Sequence, residues 1–150
     1  MSIADWTQRL LTTAALLGHY PTPDRPPHVV TLPQAALAAR ACDGTCRPRG
    51  AYIPGEGVLL LNTLDIDGSP EDRSVLLHEL VHYLQDRYGR FAKEPTCDRY
   101  ADRELEAYYV QDEYLARYNT GLGHAADPAN WMPLACFRNS GESLQLNVQR

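Results

Sequence analysis

Five consecutive residues, His78-Glu79-Leu80-Val81-His82, carry the densest chemistry in the sequence. The segment around them, residues 74–85, has no Gly or Pro and is apolar around most of its circumference, so it predicts a buried helix. On a helix His78 and His82 lie four residues apart on one face, where two imidazoles can reach one metal ion. Glu79 is turned about 100° away from that row. From there a carboxylate can hydrogen-bond a metal-held water and take its proton, the role of a general base in hydrolysis.

Catalytic zinc usually has three protein ligands and a water. The third ligand is expected on a later helix, in Asp102-Arg103-Glu104-Leu105-Glu106-Ala107-Tyr108-Tyr109-Val110-Gln111. Glu104, Tyr108, Gln111 and Leu115 share one face of that helix, and His78, His82 and Gln85 share one face of the motif helix. If these faces oppose each other, Glu104 meets the two histidines, Gln85 and Gln111 lie near the same cleft, and the small Ala107 permits close approach. Glu106 points elsewhere and is the alternative ligand. The plainer reading of either glutamate is a solvated charge on a helix face. His124, the only later histidine, lies in a Gly-rich tail.

The elements that must position these residues are legible in outline. Residues 5–18 predict a first helix with Trp6, Leu10, Ala14 and Leu17 as its apolar stripe and Gly18 as its stop. Residues 28–32 predict a strand and 33–41 a short Ala-rich helix. Residues 51–53 and 58–62, joined by Pro54-Gly55-Glu56-Gly57, suggest a hairpin. Ser69 caps the motif helix, Pro70 takes its first position, and Glu71 and Asp72 face its positive end. That helix should run to about Gly89, and residues 98–118 form the next long helix. Beyond Gly121 only residues 131–137 are apolar, and irregular structure is expected. His19 and His28, beside Pro-rich turns, are expected at the surface.

With 150 residues and 44% apolar content, one domain spanning 1–150 with a real core is expected. The net charge of −5 and the lack of a basic stripe argue against nucleic acid as a partner. No stretch is long enough to span a bilayer. The apolar run 10–17 is short, contains two Thr and does not look like an intact signal peptide. The four cysteines are even in number and sit mostly in loop-like settings, which fits disulfides Cys42–Cys46 and Cys97–Cys136. The turn Asp43-Gly44-Thr45 can bring Cys42 and Cys46 within range. Such bridges favour a secreted or periplasmic protein, whereas four reduced thiols would fit the cytoplasm. A four-cysteine zinc site lacks the two-residue spacing of a zinc knuckle.

The pentapeptide, its apolar helix and the acidic helix that follows resemble the HExxH zinc metallopeptidases of the gluzincin group. Those enzymes carry two His on one helix and a Glu on the next. Glu104-Leu105-Glu106-Ala107-Tyr108 looks like their E-x-x-A-[D/N] segment, with Glu104 at the ligand position. The block 75–115 also resembles small bacterial HExxH proteins with an E-x-x-A-Y-x-x-Q segment. The resemblance covers roughly 40 residues. It implies an α+β, zincin-like domain: a short β-sheet packed on a buried HExxH helix, and a second long helix carrying the third ligand. It further implies one Zn2+ held by His78, His82 and Glu104, Glu79 as general base, and hydrolysis of peptide bonds in a protein or peptide substrate. The substrate would lie extended against an exposed strand edge, expected at residues 58–61. Tyr108 stands where those families place Asp or Asn. Its hydroxyl could accept from an imidazole N–H or act at the substrate oxygen, and Tyr109 and His124 are further candidates for the latter. A zinc hydrolase of a non-peptide substrate, or a zincin-fold binding or regulatory module without turnover, are the alternatives.

Overall fold

Ser2 opens the first helix, α1 (Ile3–Gly18), through a reciprocal capping box with Asp5 in the computed structural model, which describes residues 1–91 and 96–118. The helix starts two residues earlier than expected and ends at Gly18 as expected, but its left-handed stop lies one residue further on. His19, not Gly18, takes the left-handed conformation, at φ 59°. Gly18 is needed for another reason: a Cβ there would stand 2.9 Å from the ring of Tyr20, which folds back onto it. The buried face of α1 is also wider than the predicted stripe. It includes Thr7, Leu11 and Ala15, while Trp6 and Leu17 stay half-exposed. His19 and His28 are exposed, as expected.

Strand β1 (Val29–Leu32) leads into α2 (Gln34–Cys42), then into the hairpin of β2 (Gly50–Ile53) and β3 (Gly57–Leu61). β3 pairs antiparallel with β2, Ala51 opposite Leu59, and parallel with β1, Val29 opposite Val58. The sheet order β1-β3-β2 therefore puts β3 in the centre. This corrects the expectation that residues 58–61 form an exposed edge. The cause is visible in the residues themselves: Val58 and Leu60 face the main core, Leu59 and Leu61 face α2, and a strand apolar on both faces belongs inside a sheet. β1 and β2 are the edges.

Helix α3 (Pro70–Tyr88) starts and stops as its sequence requires. Ser69 accepts from the Asp72 N–H, Pro70 occupies the first turn, and Gly89 closes the helix at φ 60°. Every residue from Arg73 to His82 is buried. The reason is position: α3 lies between the sheet on one side and α1 and α4 (Cys97–Ala116) on the other. The described residues thus form a small α+β domain of four helices and a three-stranded sheet. The larger core gathers Leu10, Leu11, Leu76, Leu77, Leu80 and Leu84 with Val58 and Leu60. A smaller one, Leu37, Ala41, Ala51 and Leu59, fills the space under α2.

Cys42 and Cys46 form a disulfide with their Cα atoms 6.0 Å apart. Cys97, the first residue of α4, is also disulfide-bonded. Its expected partner Cys136, with His124 and the apolar residues 131–137, lies outside the described residues. Among the described residues no helix is long and apolar enough to cross a membrane.

Candidate metal centre

α4 presents one buried stripe to α3: Cys97, Glu104, Ala107, Val110 and Tyr114, at intervals of three, four and seven residues. Ala107 is fully buried, and its small side chain lets the helices close on each other. This brings Glu104, only 1% exposed, against the histidines of α3. Glu104 Oε1 lies 3.0 Å from His82 Nε2, and Glu104 Oε2 lies 3.2 Å from His78 Nε2. The two Nε2 atoms stand 3.1 Å apart. His78, His82 and Glu104 thus form a buried group that could hold a metal ion.

The spacing suits such an ion. Three donors about 2 Å from one tetrahedral metal stand roughly 3.3 Å from each other. The outer nitrogens of both rings face glutamine oxygens. His78 Nδ1 is 3.1 Å from Gln111 Oε1, and His82 Nδ1 is 2.8 Å from Gln85 Oε1. An amide oxygen only accepts, so Nδ1 of each ring carries the proton and each Nε2 turns a lone pair inward. Two lone pairs and a carboxylate then converge at hydrogen-bond distance. In water-poor surroundings that clustering of acceptors is costly unless a cation joins them.

Glu79 is buried beside this group, 6% exposed, and its Oε2 has no hydrogen-bond partner among the described residues. Edge strand β2 runs past it. A Cβ on Gly50 would come 3.1 Å from Glu79 Cγ and 2.9 Å from Val75 Cγ1. Only glycine permits that approach without displacement. β2 is tied to α3 at both ends of this contact: Arg49 pairs with Asp72, and the Tyr52 hydroxyl donates to Asp86 Oδ2 at 2.7 Å.

The Tyr108 ring packs on His78 with centroids 4.3 Å apart. Burial, and then the nearby Glu79 carboxylate, push its hydroxyl above the ordinary tyrosine value, so it holds its proton. Tyr109 is not brought to the group. It is exposed, and it lines a separate cavity of about 460 Å³ with Leu17, Arg90, Leu105 and Glu106. Glu106, the alternative ligand, also turns away. It accepts from the Tyr20 hydroxyl and pairs with Arg90 at 2.7 Å, and it lies 3.3 Å from Gln85 Nε2. Helical spacing carries a weak sign of this, since Glu104 and Glu106 are about 200° apart on a helix. The contact of Gly50 with Glu79 had no such sign, because it depends on a strand placed by long-range pairing.

A family model described as Domain of unknown function (DUF6647) matches residues 7–136, a span that contains every residue of the group, and the chain belongs to that family. No curated protein and no solved structure matches the chain.

Proposed function

We propose that this chain is a zincin-like, zinc-dependent hydrolase of peptide bonds, with His78, His82 and Glu104 as the zinc ligands. The observation that carries the reading is the convergence of two inward Nε2 lone pairs and one carboxylate, 3.0–3.2 Å apart, beside a buried Glu79 oxygen with no hydrogen-bond partner among the described residues. A structural zinc site would be expected to close its fourth position with a protein ligand. Here the neighbouring acid is instead offset from the ligand row by the helical turn.

Zinc, when bound, supplies Lewis acidity to a water and to the scissile carbonyl. Glu79 takes the proton of the attacking water and returns it to the leaving amine. Tyr108 keeps its proton and donates to the carbonyl oxygen as negative charge develops there. An extended peptide pairs with the outer edge of β2, to which no other strand is joined among the described residues. The close approach of Gly50 to Glu79 sets that edge beside the base.

Digestion of a peptide library by zinc-loaded protein, with Glu79→Gln as control, tests the reading. Cleavage is expected with the native chain and not with the variant. Equal cleavage by both would remove Glu79 from its role. No cleavage by either, with zinc bound, would contradict peptide hydrolysis.

A further inference from the structure

We infer that Gln85 and Gln111 are positioning residues that fix which nitrogen of each histidine faces the metal. The inference rests on the metal reading above and adds to it the device that orients the ligands. It starts from the far ends of the two amides. Gln85 Nε2 lies 2.9 Å from the carbonyl oxygen of Arg103 and 3.3 Å from the carboxylate of Glu106. Both partners only accept, so this end of the amide must be the NH2 group. Its other end is then the oxygen, and His82 Nδ1 must donate to it.

Gln111 reaches the same result by another route. The Ser74 hydroxyl lies 2.6 Å from the carbonyl oxygen of Glu71, and its proton is directed there. Ser74 Oγ is therefore left to accept from Gln111 Nε2 at 2.8 Å. The oxygen of Gln111 is turned to His78 Nδ1, which must donate.

Each relay begins at a backbone carbonyl held in a helix and ends at an inward lone pair. Each also crosses between helices: Gln85 of α3 is anchored on α4, and Gln111 of α4 is anchored on α3. The hydrogen bonds that orient the rings therefore also hold the two ligand-bearing helices in register. Gln85 is fully buried, and Glu106 is itself fixed by Tyr20 and Arg90. Metal-ligating histidines need such an outer acceptor, and its loss typically costs 10–100-fold in metal affinity. Here both acceptors are neutral amides, so Glu104 is the one ligand of the three that brings negative charge.

The test combines zinc titration by chelator competition with long-range 1H–15N spectra of the imidazole rings, on the full chain. In the native protein with zinc, both rings should be coordinated through Nε2 with Nδ1 protonated. Gln111→Leu should weaken zinc binding by about 10–100-fold and disturb the nitrogen shifts of His78, leaving those of His82 in place. Gln111→Glu keeps an acceptor that Ser74 can turn to serve, and it should restore most of the affinity. Gln85→Leu should do the mirror image to His82. If that variant fails to fold because the Arg103 carbonyl and Glu106 lose the Gln85 N–H groups, the position 111 pair decides alone. Unchanged affinity and unchanged ring nitrogens in Gln111→Leu would overturn the inference while leaving the metal reading intact. A native protein that takes up no zinc would overturn both.

Discussion

At the scale of single residues, the group depends on which glutamate α4 turns inward. Glu104 is buried between the two rings, and Glu106 is spent on Tyr20, Arg90 and Gln85. Glu104→Ala should abolish tight metal binding, because it removes a ligand and the only negative charge among the three. Glu106→Ala should keep the ligands and instead lower stability by about 1–3 kcal/mol, since the buried Tyr20 hydroxyl loses its acceptor. Chemical denaturation and zinc titration of the two variants separate these outcomes. A large loss of zinc only in Glu106→Ala would reverse the assignment. The grouping of His78, His82 and Glu104 is legible because helical periodicity sets which side chains share a face, and the E-x-x-A resemblance adds the preference for Glu104 over Glu106. The direction of each amide was not legible, since it is set by carbonyls of Arg103 and Glu71 that no pattern of residue types announces.

At the scale of elements, the hairpin and the four helices could be read from caps, turns and periodicity, but the sheet order could not. The pairing of β1 with β3 is parallel and bridges a helix and another strand, so no turn residues encode it. The run Gly57–Leu61 did contain the clue, being apolar at alternate positions on both faces. Placing β3 in the centre leaves β2 as the edge beside Glu79. Arg49 with Asp72 and Tyr52 with Asp86 hold β2 along α3, and Gly50 sits between those ties. Gly50→Ala should press on Val75 and Glu79 and cost about 1–3 kcal/mol in stability. It should impair peptide cleavage more than zinc binding, because the three atoms nearest the added Cβ belong to Val75, Glu79 and Leu60. Equal losses in both would show that the strain spreads to the whole group and is not confined to Glu79.

At the scale of the whole molecule, α3 is the axis on which α1, α4 and the sheet converge, and its burial explains why a polar group can be held dry. Tyrosines stitch the layers together. Tyr20 and Tyr52 are buried, and their hydroxyls donate to Glu106 and Asp86. Burial first, and then these carboxylates, raise both phenols above the ordinary tyrosine value of about 10. The folded chain therefore keeps protons that the unfolded chain releases. The stability they contribute is fully present below about pH 10 and is lost as pH rises above it. Alkaline titration followed by tyrosinate absorbance and by circular dichroism should show at least three phenols, those of Tyr20, Tyr52 and Tyr108, ionising only as the fold is lost. Ionisation of Tyr20 and Tyr52 at about pH 10 with the fold intact would contradict their buried hydrogen bonds. Whether the group holds a metal is decided by elemental analysis of the purified chain, with zinc uptake measured on native protein and on His78→Ala. About one zinc per native chain and almost none in the variant is the predicted result. A native chain that contains no metal when purified without chelator, and binds none when zinc is supplied, would contradict it.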